Sequence, residues 1–416
     1  MNTSARPPLA LVLLVATSFP ALAGEVLEVG PGRPFPTIGD ALSIAARDDI
    51  VLVDPGAYVE DLDVRQGVTI AGRGGVATID GFVSIASIPG NEAVVLLSMR
   101  LRPETLVDEP PSTPVLTITD CRGAVRLRST VVEEAPFASP FPSDGRDGLR
   151  VVRSANVVAS DSTIVGSTGR PAGLFGILSG GEGLVVGQDA SVELADTVVL
   201  GGAGSTSECG GAGGRGALVR VDGRLLAYGG SIRGGEGGAA FGLIAGDGGP
   251  GLDTRGEAVL QGVLVRGGRG GTSTFGFPGT SGPDRTGAGV VVDLDGEPRR
   301  LDVPAVVRGS DPGWSAVTDG LEPGETAALL VGFRSGPRYA PALERPLRVL
   351  LGVPGVVSFD PVQADATGRA VLDFGPTVPP VGEDGVLFWS QSLCRTSTGA
   401  MRWSSSRATL LLDAAF

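Results

Sequence analysis

The chain has 416 residues, 67 of them glycine, and a formal net charge of −13: 33 arginines against 46 acidic residues, with neither lysine nor histidine. That balance disfavours nucleic acid and anionic membranes as partners. The missing residue types exclude imidazole acid–base work, Ser-His-Asp and Cys-His catalysis, histidine metal sites, Schiff-base chemistry and the P-loop.

Residues 1–23 have the pattern of a secretory signal. Arg6 supplies the positive start, 9–19 is a short apolar run, and Ala21-Leu22-Ala23 is a small-residue cleavage site before Gly24. The run is too short for a membrane helix of ~20 residues. No later stretch reaches that length without a glycine or a charge. The expectation is a secreted, periplasmic or cell-surface protein with no membrane span. Glycine, at more than twice its usual ~7%, follows no Gly-X-Y period along the chain, so collagen is excluded. Apolar content of 42% is ample for a core and assigns the glycines to loops. Cys121, Cys209 and Cys394 allow one disulfide and leave a thiol over. No CxxC is present, which disfavours a zinc cluster.

After the signal, the spacing of Ile38, Ala41, Leu42 and Ala45 predicts a helix over 35–49, capped by Thr37. Ile50-Val51-Leu52-Val53 suits a buried strand, closed by Asp54-Pro55-Gly56. Strand-length segments follow at 68–70, 77–79, 83–85, 94–97, 115–118 and 125–127, with no helical pattern between them. A βαβ fold is therefore disfavoured.

The stretch Thr37-Ile38-Gly39-Asp40-Ala41-Leu42, with Asp49-Ile50-Val51-Leu52-Val53-Asp54-Pro55-Gly56-Ala57-Tyr58-Val59-Glu60, resembles the N-terminal end of right-handed parallel β-helix proteins of the pectate-lyase-like superfamily. The resemblance covers roughly residues 25–310. It implies an all-β parallel solenoid whose first coil is plugged by the amphipathic helix. The physics agrees, because a stack of coils has an open apolar end that needs a cap.

The strongest repeats run from Gly148 to Ser310. Ile164, Val199, Ile232, Val265 and Val307 each stand two positions before Gly166, Gly201, Gly234, Gly267 and Gly309, at spacings of 35, 33, 33 and 42 residues. Such a period means stacked coils. The windows 156–166, 191–201, 224–234 and 257–267 align without gaps. Their second positions are Val157, Val192, Leu225 and Ala258, and their fourth are Ala159, Leu194, Ala227 and Leu260. Inward residues at fixed offsets are what stacked parallel strands need. Eight to ten coils at ~4.8 Å would make a rod about 40–50 Å long. Glycine-rich loops at 168–182, 203–215, 236–250 and 269–288 leave from one point of the coil, and such insertions map to one face.

From about Asp311 the period is lost. Short strands over 327–333, 347–353, 356–359, 370–374, 386–390 and 408–412 predict an antiparallel β-sandwich-like module. Asp365-Ala366-Thr367-Gly368-Arg369-Ala370 and Val386-Leu387-Phe388-Trp389-Ser390-Gln391 are similar in outline to C-terminal modules of large exported bacterial β-helix proteins. The expected organisation is a signal over 1–23, a β-helix over 24–310 and the module over 311–416.

The enzyme signatures of the superfamily are missing. Gly-His-Gly and Arg-Ile-Lys need residues the chain lacks, and the pectate-lyase patterns are absent. Of the pectin methylesterase patterns, Gln188-Asp189-Ala190 departs from Gln-Asp-Thr at its third residue. The residues then offer a few candidate sites. The tenth window position becomes Arg233 and Arg266, with Arg308 equivalent before Gly309, so three outward arginines are expected to form a column. Stacked like charges repel unless an anion sits between them. This column is the candidate ligand site, for an acidic polysaccharide gripped by arginine forks. The alternative is an ordinary solvated face balanced by Glu236 or other loop acids. Asp144 and Asp147 flank a coil entrance as a glycosidase pair would, or simply form a turn. Gly248-Gly249-Pro250-Gly251-Leu252-Asp253 begins like a calcium β-roll repeat but occurs once, which leaves Asp253 as the metal candidate and no cofactor expected. Trp389, Gln391 and Trp403 would stack on sugars or a partner surface if exposed, or pack in the core.

These observations favour an exported, non-catalytic β-helix protein that binds acidic polysaccharide or a cell-surface component. The alternative is a polysaccharide lyase or carboxylate-dependent glycoside hydrolase.

Overall fold

The computed structural model describes residues 24–103, 113–134, 143–170, 176–242, 244–332, 335–338, 349–351, 357–379 and 384–416. The signal at 1–23 and most of the expected strand over 347–353 lie outside the described residues.

The expected helix is shorter than its apolar spacing suggests. It spans Ile38–Ile44, with Thr37 Oγ1 accepting the Asp40 amide at 3.1 Å. Ala45 leaves helical geometry at ψ 137° and Asp48 takes a positive φ, so the chain turns out before the strand Ile50–Val53. Ile38 and Ala41 are buried and join the solenoid core, while the Glu60 carboxylate accepts the amides of Ile38 and Gly39 at 2.8 and 2.7 Å.

The chain forms a parallel β-solenoid with three sheets. Sheet 1 has ten strands, from Val26–Val29 to Val290–Leu294. Sheet 2 has eight, from Leu62–Val64 to Arg285–Thr286, and sheet 3 has eight, from Gly56–Tyr58 to Leu264–Arg266. The register matches the window alignment: Val157, Val192, Leu225 and Ala258 pair in succession in sheet 1, and Ile164, Val199, Ile232 and Val265 in sheet 3. All eight side chains are buried in one continuous core. Parallel strands present the same position on every coil, so apolar columns, rather than pairs, build the interior.

Left-handed residues turn the corners. Ser129, Asp161, Asp196 and Gly229 follow successive sheet 1 strands, with φ between 49° and 68° for the last three and 50° for Ser129. Asp and Gly tolerate this conformation, which permits the chain to reverse its inward face within two residues.

The second compact unit takes in residues 297–416. Arg300–Asp302, Trp314–Asp319 and Ala370–Phe374 form one antiparallel sheet. Arg407–Leu412, Gly385–Arg395, Thr326–Gly332 and Val357–Ser358 form a second antiparallel sheet, to which Val306–Arg308 adds in parallel beside Arg407–Leu412. Leu301, Trp314 and Phe374 from the first meet Leu329, Val331, Phe388 and Leu411 from the second, with the Trp314 and Phe374 rings stacked at 4.1 Å.

Two expectations are corrected. The module takes in residues from Glu297 onward, so the change of pattern at Asp311 falls inside it. Val307 is not a fifth coil position: its strand pairs with Arg407–Leu412, Val307 lying against Leu411. Its spacing of 42 residues, where the preceding two were 33, marked the break. The three cysteines form no disulfide; Cys121 and Cys394 are buried and Cys209 is half-buried.

Candidate functional site: an arginine pair beside stacked glycine arms

The outward column of sheet 3 runs Val165, Leu200, Arg233, Arg266 in strict register. Arg233 and Arg266 are both exposed. Neither makes an ion pair or side-chain hydrogen bond with any described residue, Glu236 included. Arg308 is not part of this column. It lies opposite Leu412 in the C-terminal module, where its amide is held by the Asp311 carboxylate at 2.7 Å. The site is therefore a pair of guanidinium groups on adjacent strands, about 5 Å apart at their backbones.

Directly after these arginines the chain leaves the coil. The expected loops are arms that run out and back, and they stack on one another. Gly201 donates to the Arg233 carbonyl at 2.8 Å and Gly204 to that of Glu236, while Gly202 donates to Gly181 on a returning arm and Gly214 donates back to Gly202. The next arm repeats the pattern: Gly235 to Gly214, Gly237 to Arg269 and Gly249 to Gly235. Amides thus point in turn to different neighbours, the three-residue period of an extended polyproline II chain. Sequence supports it locally: Gly234-Gly235-Glu236-Gly237-Gly238 and Gly267-Gly268-Arg269-Gly270-Gly271 are Gly-Gly-X triplets with X exposed. Two faces of each arm pack backbone on backbone. A Cβ on Gly235 would lie 1.8 Å from the Gly202 carbonyl oxygen, and one on Gly268 equally close to that of Gly235. No side chain fits there. The triplet is too short to register in a whole-chain period, which is why composition alone suggested loops.

The returning arms deliver a second cluster to the entrance of sheet 2. Asp147, Glu182 and Arg215 precede Gly148, Gly183 and Gly216 on successive coils. Asp147 Oδ2 accepts from Arg150 at 2.6 Å, and its Oδ1 accepts the Glu182 amide at 3.2 Å. Arg215 bridges Glu182 and Asp253, each at 2.8 Å. Burial, reinforced by a hydrogen bond to Asp147 and by its charge, pushes the Glu182 carboxyl up to about 7 against the pull of Arg215. Glu182 is the functional-type residue that sequence reasoning passed over. Its only signal was its column position, one before the glycine.

The other candidates fall as follows. Asp144 is exposed and accepts the Ser179 amide at 2.8 Å. Asp144 and Asp147 thus clamp amides three residues apart on the next arm, and what meets Asp147 is Glu182. Asp253 is buried and its carboxylate is occupied by Arg215, while Gly248 and Gly249 belong to the arm lattice. Among the described residues no group of three or more metal-type ligands occurs. Trp389, Gln391 and Trp403 are buried in the module, Gln391 donating to the Ser404 carbonyl at 3.0 Å. Their exposed-surface reading is therefore overturned: strand Gly385–Arg395 is central in its sheet and buried on both faces.

No family model matches the chain, and no curated protein matches it. Among solved structures, it is similar to a pectin methylesterase from Aspergillus niger in deglycosylated form. That likeness covers 65% of this chain and 85% of the other, at 14% identity and a TM-score of 0.30. The assignment of a parallel β-solenoid rests on the strand ladders themselves.

Proposed function

We propose that the chain is an exported, non-catalytic β-helix binding module, and that its ligand is an acidic polysaccharide held by Arg233 and Arg266. The observation that carries this reading is the pair of in-register guanidinium groups with no carboxylate of a described residue on either. Like charges stacked on adjacent strands repel. A carboxylate lying between them replaces that repulsion with two charge-assisted hydrogen bonds. Some exposed arginines carry a carboxylate, as at Arg153–Asp120, Arg285–Asp293 and Arg369–Asp319, whereas Arg233 and Arg266 carry none from a described residue. Export rests on the signal-like pattern of residues 1–23.

The test is a titration of polygalacturonate against the wild-type chain and the Arg233→Gln/Arg266→Gln variant at several salt concentrations. The expected result is at least tenfold weaker binding in the variant, with a shallower salt dependence. Binding that is absent in the wild type, unchanged in the variant or insensitive to salt overturns the reading.

The hydrolase reading has one observation in its favour, the raised Glu182 carboxyl. Geometry weighs against it. Glycosidase carboxyls stand about 5–9.5 Å apart around the scissile bond. The Glu182 amide donates to Asp147 Oδ1 at 3.2 Å, and both carboxylates are held by arginines, Arg215 on Glu182 at 2.8 Å and Arg150 on Asp147 at 2.6 Å, so neither is free to flank a sugar linkage. A reducing-sugar and unsaturated-end assay on the same polymers checks this, and activity lost in Glu182→Gln would restore the enzyme reading.

A further inference from the structure

We infer that the tips of the glycine arms are a self-association surface whose occupant is a second copy of this chain. Phe241, Ile244, Phe275 and Phe277, with Ile177 on a preceding arm, are all more than half exposed; Phe275 reaches 79% and Phe277 75%. Residues 237–246 and 270–282 contain no charged side chain, on a chain of net charge −13. Soluble monomers place such apolar groups singly, whereas these lie on stacked arms, with Ile244 and Phe277 bridge partners.

Backbone bonds fix them in one array. Ala240 bridges to Ser207 and to Ser273, and Ile244 bridges to Phe277. Gly210 donates to the Ile244 carbonyl and Ala245 to that of Phe277, both at 3.0 Å. Cys209, Ile244 and Phe277 therefore hold equivalent positions on successive arms, about 4.8 Å apart. The array is set by main-chain contacts, so little ordering entropy is lost when it is covered.

Area and charge select the occupant. The five exposed side chains present on the order of 600 Å² of apolar surface, the upper limit for a typical monomer. Paired with itself about a twofold axis, the patch buries about 1,200 Å² in total, the lower bound of specific interfaces. Copies of net charge −13 repel, but segments 237–246 and 270–282 are themselves uncharged; the exposed Glu208, beside Cys209 on the preceding arm and bonded through its carbonyl to the Gly242 amide, lies at their edge, and salt screens its repulsion within about 8 Å. This dimer should therefore tighten as salt rises, the opposite of arginine-held polysaccharide. Cys209 lies in the same column and is half-buried, whereas Cys121 and Cys394 are buried, so a thiol reagent reports on the seam alone.

The experiment is sedimentation velocity of the full chain over a concentration series at low and high salt, with the Phe275→Ser/Phe277→Ser variant alongside. Expected are a monomer–dimer equilibrium strengthened by salt, a dissociation constant raised at least tenfold in the variant with its circular dichroism unchanged, and cross-linking of the wild type by a short bismaleimide. Cys209→Ser should abolish the cross-link and leave sedimentation unchanged. A monomer at every concentration overturns the inference, as does a dimer indifferent to the variant or weakened by salt. Flotation of a monomeric chain with neutral phosphatidylcholine vesicles, lost in the variant, would overturn it in favour of a lipid surface. Loss of polygalacturonate binding leaves these readouts untouched, so the two proposals fail separately.

Discussion

Glu182 shows how a side chain's chemistry is made by its neighbours rather than by its identity. On an exposed turn it would titrate near ~4.3. Buried beside Asp147 it is pushed up to about 7. Between those two values the folded chain holds a proton that the unfolded chain has released, so this group's contribution to stability is full below about pH 4 and lost as pH rises through about 7. Glu182→Gln keeps the shape and the bond from its backbone amide to Asp147 Oδ1, and removes the charge. It is expected to flatten the fall in stability between pH 5 and 7.5, leaving the variant about 1–2 kcal/mol ahead at the upper end. Urea unfolding at both pH values measures it, and an unchanged slope would show that Glu182 titrates normally. In the C-terminal module, Arg299 holds both oxygens of Glu325 at 2.9 and 3.0 Å with both side chains nearly inaccessible. Removing one partner leaves a charge in the core, so Glu325→Gln should cost about 3 kcal/mol. The buried Cys394 thiol, pushed up to about 12 by desolvation, should react with a thiol reagent faster in that variant as the module opens more often.

At the scale of an element, the glycine arms make the sharpest contrast. Gly235 and Glu236 are neighbours, yet one position forbids a Cβ and the other faces water. The obstacle at Gly235 is a main-chain carbonyl, which has no rotamer to retreat into. Gly235→Ala is therefore expected to cost about 2–4 kcal/mol, and Glu236→Ala to stay within about 0.5 kcal/mol. Denaturant midpoints of the two variants check the pair, and equal effects would mean the arms do not pack as backbone on backbone. The coil strands were legible in sequence because inward residues recur at fixed offsets: Val192, Leu225 and Ala258 fall in one column on the page and in the structure. The helix was legible in its face but not its length. Ile38 and Ala41 mark the buried side, whereas its end is set at Ala45, which leaves helical geometry at ψ 137°, and the positive φ of Asp48 then turns the chain into the strand Ile50–Val53. The arms were only half legible. Their Gly-Gly-X triplets are visible, but a triplet stays an extended, solvated chain unless a second arm lies beside it to take its amides.

For the whole molecule, net charge sets the sign of each response to the solvent. The proposed acidic polysaccharide would approach a chain of net charge −13, so its binding would depend on local arginines such as Arg233 and Arg266. Raising salt from about 50 to 500 mM should weaken that binding and strengthen tip-to-tip association. Measuring both on one preparation separates a local arginine effect from a general change in solubility, which would move them together.

What the sequence determined by itself is the scaffold. Its 33-residue period, its buried columns and its absence of lysine and histidine set a parallel solenoid and excluded most catalytic chemistries, because periodicity and composition are one-dimensional quantities. It could not decide which residues meet across coils. Whether Arg233 faces a carboxylate or another arginine, whether Arg308 completes their column or sits in a different sheet, and whether Asp147 has Asp144 or Glu182 for a partner depend on the register between strands some 33 residues apart. That register is fixed by the backbone hydrogen bonds of stacked coils and arms, so only the tertiary structure decides where charge, proton and apolar surface come together.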